Sequence, residues 1–333
     1  MARPGAQNLI TDVAGFKVGN AEDLKIRTGT TVILADEPAI AAVAVAGGGP
    51  GTRETDLLAG GTLVEAVDAI VLSGGSAFGL GAADGVASGL KAADRGYAFG
   101  GAARQPGVPL PPIVPAAILY DLANGGDKDW GEPSPYPALG RAAFDVAAET
   151  FALGASGAGT GAKAGTHAGG LGSASIVTDD GFTVGAITAV NCFGSVFMPG
   201  TDAFWAWPFE IDGEFGGARP PAGYAADAED WGASKINPAL GQNTTIACIA
   251  TDAALTADQA KRVAQMALSG LSRSIRPVFA PFDGDAVFVM SSAQRALEGP
   301  EPLAVARIGE LAASTLARAV ARGVYEAGPA VKA

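Results

Sequence analysis

The segment Gln242-Asn243-Thr244-Thr245 runs directly into the apolar stretch Ile246-Ala247-Cys248-Ile249-Ala250, which places a hydroxyl at a loop-to-strand junction. A hydroxyl attacks a carbonyl at neutral pH only when a base takes its proton, and histidine most often supplies that base. This chain has one histidine, His167, in 333 residues. Cleavage of the Asn243–Thr244 bond would make a base from the backbone, because Thr244 would then carry a free α-amino group beside its own hydroxyl. The reference pKa of such a group, about 7.7–8.0, suits a general base near neutrality.

Other polar residues could surround that hydroxyl. Asp283 and Asp285 lie just before a strand-like run, and acids two apart point to one side of an extended chain. They could position an ammonium and take part in proton transfers, or form a plain acidic turn. Lys163 is the only Lys, Arg, Asp or Glu between Phe151 and Thr178. Asn191 sits in the apolar run from Ala186 to Val196 and must find partners if buried; its amide could donate to an oxyanion or be a satisfied core group. Tyr120 closes Val114-Pro115-Ala116-Ala117-Ile118-Leu119 and is equally compatible with core packing. His167 reads as a loop residue near the site.

Familiar signatures fail. Gly159-Thr160-Gly161-Ala162-Lys163-Ala164 lacks the Gly-Lys-Ser/Thr of a phosphate loop, and Gly157-x-Gly159-x-x-Ala162 is a loose dinucleotide pattern in a region crowded with glycine. Gly74-Gly75-Ser76-Ala77-Phe78 has Phe78 where a nucleophile elbow needs glycine. One histidine excludes a histidine-rich metal site. Cys192 and Cys248 show neither disulfide nor metal spacing and read as small buried thiols.

The elements that must position these groups come in blocks. Strand-like runs cover Thr30–Leu34, Ala41–Val45 and Ala69–Leu72, followed by a helix from about Phe78 to Asp94 and another from Leu139 to Thr150. Strands are expected near Ser175–Val177, Val184–Val190, Thr244–Thr251 and Ala286–Met290. Thr256-x-x-Gln259 reads as a capping box opening a helix with Ala260, Val263, Ala264, Ala267 and Leu271 on one face. The last helix carries Ile308, Leu311, Ala312, Thr315, Leu316, Ala319 and Val320 at helical spacing. Residues 199–242, rich in Pro, Gly and Asp, read as a long exposed connection that would tolerate a chain break. Blocks of this kind favour α+β layering over a doubly wound sheet.

Bulk properties narrow the partners. A net charge of −12 argues against nucleic acid or an anionic membrane surface. Apolar runs fall far short of the roughly 20 residues that span a bilayer, and no signal peptide is evident, so the expectation is a soluble cytoplasmic protein. With 48% apolar and 17% charged residues the chain is expected to be folded throughout.

Taken in order, several segments resemble the P1 (S58-type) family of self-processing peptidases, which includes the L-aminopeptidase/D-esterase type, β-peptidyl aminopeptidases and nylon-oligomer hydrolase. They are Gly48–Asp56, Leu72–Leu80, Val114–Asp121, Asn124–Gly131, Gly157–Lys163, Asn243–Ile246 and Pro281–Asp285. The resemblance implies one α+β domain over residues 1–333, a four-layer αββα sandwich of N-terminal-nucleophile style. It also implies self-cleavage into residues 1–243 and 244–333. Carried onto this chain, Thr244 is the nucleophile, Asn191 an oxyanion donor and Tyr120 a substrate-facing or oxyanion-side hydroxyl. Lys163, Asp283 and Asp285 match polar residues around the nucleophile in the nylon-oligomer branch. Some members carry Ser and Glu in place of the two aspartates, and many use serine as nucleophile. The implied activity is hydrolysis of small peptides, amides or esters without metal or organic cofactor, in a protein that tends to form tetramers. Alternatives are hydrolysis of ω-amino-acid oligomers, acyl transfer between amino acids, and an uncleaved binding domain.

Overall fold

The computed structural model describes residues 2–98, 106–235 and 244–328. Eleven strands and four α-helices follow in the described residues: β1 (Phe16–Asp23), β2 (Thr28–Val45), β3 (Thr52–Arg53), β4 (Ala66–Ser73), α1 (Ala82–Ala92), β5 (Ala116–Ile118), α2 (Tyr136–Asp145), β6 (Lys163–Ala164), β7 (His167–Ala168), β8 (Gly170–Val177), β9 (Thr183–Asn191), β10 (Thr244–Ala253), α3 (Ala257–Ser274), β11 (Ala286–Arg295) and α4 (Glu301–Ala327).

The runs Thr30–Leu34 and Ala41–Val45, expected as separate strands, are two halves of the single 18-residue strand β2. Its first half pairs with β1 and β4; beyond the break Ala39 and Ile40 still pair with β4, and Ile40–Val45 pair with β11. Between the two halves Asp36, Glu37 and Pro38 are exposed and the register against β4 shifts. Pro38 has no N–H to give to a ladder, so pairing breaks there and the strand passes from one layer to the other. The hydrogen-bonded order is β3-β5-β4-β2-β11-β10-β9-β8. Only β10/β11 and β4/β5 are parallel; the other pairs are antiparallel.

Strand alternation sorts side chains into three cores. Ile33, Val43, Ile187, Ile246, Cys248 and Phe288 fill the space between the two halves of the sheet. Ala42, Ala44, Ala247, Ile249 and Val287 face α3 and α4, and Val32, Leu34, Ala69 and Val71 face α1 and α2. The result is the four-layer αββα sandwich expected above, with its two sheets joined through β2.

Helix α3 starts as predicted. The Thr256 hydroxyl accepts the Gln259 N–H and the Gln259 side chain accepts the Thr256 N–H, closing the capping box. All five expected core positions of α3 are buried. In the last helix Leu311 is only half-buried while its predicted companions are buried. The stretch after Gly75 differs from expectation: residues Ser76–Gly81 form a 3-10 turn before α1 begins. The second helix starts and ends earlier than its apolar pattern suggested, at Tyr136 and Asp145, with proline in its first turn.

Of the expected connection, residues 216–232 are mostly exposed and carry no helix or strand, whereas residues 203–215 are anchored in the core. Phe204, Ala206 and Phe215 are buried in the α3/α4 core, and Glu214 pairs with Arg318 of α4 at 2.5 Å. Aromatic side chains outweigh the Pro/Gly content here, because burying each removes a large apolar surface from water. Among the described residues no helix is long and apolar enough to cross a membrane.

Candidate active site

Strand pairing brings the predicted polar residues to one end of the sheet. Thr244 is the first residue of β10 and lies opposite Asn191, the last residue of β9. β11 runs parallel to β10 with Ala286 opposite Ile246, so Asp283–Asp285 arrive at the same end as Thr244 and Thr245. The second half of β2 ends there too, with Val45 opposite Ala286. The Gly-rich loop that follows is fastened to the acidic loop: Ala46 and Gly47 N–H donate to the Asp285 carbonyl at 2.9 and 3.2 Å, and Gly49 N–H to the Asp283 carbonyl at 2.7 Å. A side chain on Gly47 would sit 2.2 Å from the Asp283 oxygen. Asn243, the other half of the proposed scissile bond, lies outside the described residues.

Thr244 is buried. A methyl group placed on Gly284 would lie 2.7 Å from the Thr244 hydroxyl oxygen, so glycine between the two aspartates makes room for that hydroxyl. The carboxylates are tied to main chain rather than paired toward one cation. Asp285 accepts N–H from Thr245 at 2.6 Å and from Phe279 at 3.1 Å. Asp283 Oδ2 accepts the Ala280 N–H at 2.8 Å, while its buried Oδ1 has no hydrogen-bond partner among the described residues. Desolvation raises the pKa of both, and the charge of Asp283 helps push Asp285 up to about 7.

Asn191 is also buried and bridges two neighbouring segments. Its Oδ1 accepts the Lys163 main-chain N–H at 2.9 Å and its Nδ2 donates to the Tyr120 carbonyl at 3.1 Å. Tyr120 therefore meets Asn191 through its main chain, and its side chain is half-buried. Lys163 opens the β6–β7 hairpin with an exposed side chain, so its role in the fold is carried by its backbone. A cavity of about 120 Å³ is lined by Tyr120, Asp121, Asn124, Lys163, Asn191 and Lys235.

His167 packs on Phe197 with ring centroids 4.6 Å apart, and its half-buried imidazole is held below the usual histidine pKa by desolvation. The phosphate-loop look-alike has a packing explanation: a side chain on Gly161 would collide with Asn124 Nδ2 at 2.2 Å and the Arg27 carbonyl at 2.4 Å. Among the described residues no group of three or more His, Cys, Asp or Glu is placed to hold a metal.

Sequence reasoning missed Lys235, Asp121 and Asn124. Lys235 carried one visible signal, being the only lysine between residues 199 and 242. Asp121 is buried; it accepts the Thr28 hydroxyl at 2.6 Å and the Gly75 N–H at 2.8 Å, which spatial proximity alone reveals.

The model of peptidase family S58 matches residues 8–332. The chain belongs to that family. It is a hydrolase acting on peptide or amide bonds, in keeping with a site that offers a hydroxyl, amide donors and titratable groups. Within the S58 relatives, an uncharacterised aminopeptidase of Mycobacterium bovis is 39% identical, covering 97% of this chain and 95% of its own. A 6-aminohexanoate-oligomer endohydrolase of Kocuria sp. is 30% identical over 86% of this chain and 76% of its own. Two solved structures share the fold: a Burkholderia sp. β-aminopeptidase (TM-score 0.68, 22% identity, 97% of this chain and 88% of that one) and the L-aminopeptidase D-Ala-esterase/amidase of Ochrobactrum anthropi (TM-score 0.68, 20% identity, 97% and 87%), described as a variant of the Ntn hydrolase fold.

Proposed function

We propose that this S58 hydrolase cuts itself between Asn243 and Thr244 and then uses Thr244 as an N-terminal nucleophile on small peptides, amino-acid amides or esters. The register that sets Thr244 opposite Asn191, beside Gly284 and the two aspartates, is the observation that carries this reading. In the uncut chain, Thr244 Oγ attacks the Asn243 carbonyl carbon, the C–N bond breaks and the nitrogen takes a proton. This leaves an ester between Asn243 and the hydroxyl. Water hydrolyses that ester, giving a carboxylate on Asn243 and a free amine and hydroxyl on Thr244.

In the cut protein the Thr244 amine accepts the hydroxyl proton as Oγ attacks a substrate carbonyl. The Asn191 amide is the oxyanion donor, helped by main-chain N–H groups, and water then releases the acyl group. Tyr120 and Lys163 border the cavity in which the substrate would lie. Asp285 anchors Thr245, and Asp283 Oδ1 is suited to an ammonium, either that of Thr244 or that of the substrate.

A second reading keeps this machinery and gives it ω-amino-acid oligomers; the Kocuria relative favours it. A cytoplasmic location and a tetramer of cut units belong to the proposal as family expectations, the latter checked by light scattering. Intact-mass spectrometry of purified protein is the primary test, with fragments 1–243 and 244–333 expected. An intact chain with full activity refutes the account of the base, and an intact inactive chain favours a binding domain. Release of amino acid from peptide amides, release of 6-aminohexanoate from its oligomers, and transfer to an added amine separate the remaining readings.

A further inference from the structure

The chain leading to Thr244 is fastened to the site well before the proposed scissile bond. The Ala233 carbonyl accepts the Thr166 N–H of the β6–β7 turn at 2.8 Å, and the Lys235 N–H donates to the Phe193 carbonyl at 2.9 Å. Ser234 between them is buried. Gly165 must be glycine for this docking, since a side chain there would lie 2.0 Å from the Ala233 oxygen at φ +56. Phe193 is gripped from both sides, by Trp231 at 5.9 Å and by Phe282 of the acidic loop at 4.9 Å, both edge-on.

This docking aims a second cation at the cavity. Lys235 Nζ donates to the Asn191 main-chain oxygen at 3.2 Å and lines the same space as Asn191, Tyr120 and Lys163. We propose that Lys235 is a positioning residue of the Thr244 site: its ammonium pins the end of β9 through the Asn191 carbonyl and presents a positive charge to Asp283. The inference rests on Thr244 being the nucleophile. Pinning the end of β9 fixes both the residue opposite Thr244 and the amide assigned to the oxyanion. The charge offsets a carboxylate with one oxygen that lacks a hydrogen-bond partner among the described residues, in a dry site.

The groups around the ammonium are Asp283 before β11, Cys192 after β9 and Lys163 on β6, with Asp121 after β5 on the same cavity wall. Desolvation is the largest influence and lowers the Lys235 pKa to about 8, against the attraction of Asp283. The pinning charge is therefore lost above pH about 8, which predicts an alkaline decline in activity.

The experiment compares wild type, Lys235→Met and Lys235→Arg, following the rate of self-cleavage and the pH profile of kcat/KM on L-alanine p-nitroanilide, with circular dichroism to confirm folding. Lys235→Met should slow cleavage and turnover tenfold or more in folded protein. Lys235→Arg keeps its charge and should cleave itself while its alkaline limb moves up by a pH unit or more. A folded Lys235→Met with wild-type rates overturns the inference, as does Lys235→Arg with an unmoved alkaline limb; the latter decides the matter if Lys235→Met does not fold. An uncut wild-type chain overturns the Thr244 reading and this inference together, whereas a cut wild type with indifferent Lys235 variants overturns this inference alone.

Discussion

Two buried groups of charges in this molecule are built on opposite principles. Around Arg318 of α4, a buried guanidinium donates to Glu214 at 2.5 and 2.9 Å, to the Ser175 carbonyl at 2.7 Å and to Asn8 Oδ1 at 2.9 Å. Opposite charges meet there, and the hydrogen bonds tie the N-terminal segment, β8 and residue 214 to α4. At the start of β10, Asp283 and Asp285 are like charges in one dry loop, one carboxylate oxygen has no partner among the described residues, and burial with the neighbouring charge pushes the Asp285 pKa up to about 7. A charge that is met by an opposite one holds layers together. A like-charge pair is costly, and its titration near pH 7 is useful only where protons must move.

Substitutions can break this contrast. Thr244→Ala should give an uncut chain with no measurable hydrolysis, because both steps use the same oxygen. Finding normal fragments in that variant sinks the assignment. Asn191→Ala should lower turnover on the order of 10²–10³, the usual loss for one oxyanion donor. If thermal stability collapses while the folded fraction turns over normally, the asparagine belongs with the structural group instead.

The reciprocal experiment is Arg318→Met. Removing one partner of a buried pair strands the other charge and should cost about 3–5 kcal/mol in denaturant unfolding, with kcat/KM of the folded protein unchanged. A drop in kcat/KM at full stability would erase the division between the two groups. The subtlest test is the pH dependence of stability. A carboxyl whose folded pKa lies near 7 keeps its proton where the unfolded chain, with the ordinary value of 3.8, has released it. Its contribution is thus fully present below pH about 4 and is lost as pH rises to about 7. Asp285→Asn should lower the baseline, since an amide nitrogen cannot accept the Thr245 or Phe279 N–H, yet flatten this slope in melting temperatures. An unchanged slope would mean that another group titrates there.

Much of the architecture was legible because it is local. The period of α3 and its capping box depend on residues within one or two turns, and the structure matches them. The continuous apolar runs of β10 and β11 mark both faces as buried, as central strands require. What misled was chain continuity: the exposed Asp36-Glu37-Pro38 break in β2 looks like a turn, but pairing on both sides keeps the strand running from one layer to the other. Residues 203–215 looked like linker by composition, whereas their aromatic side chains find a core formed mainly by other elements.

For the site, the amino-acid sequence by itself singled out Thr244, through the scarcity of histidine and a hydroxyl at a strand entrance, and supplied Asn191, Lys163, Tyr120, Asp283 and Asp285 by resemblance. Composition and order settle which groups exist and how they repeat. They do not settle which distant groups share a low-dielectric space. Only the tertiary structure set Asn191 opposite Thr244, fitted Gly284 beside the hydroxyl and turned Lys235 toward Asn191. It also displaced the pKa values of Asp285 and Lys235, because desolvation and neighbouring charge depend on the packing of segments far apart in the chain.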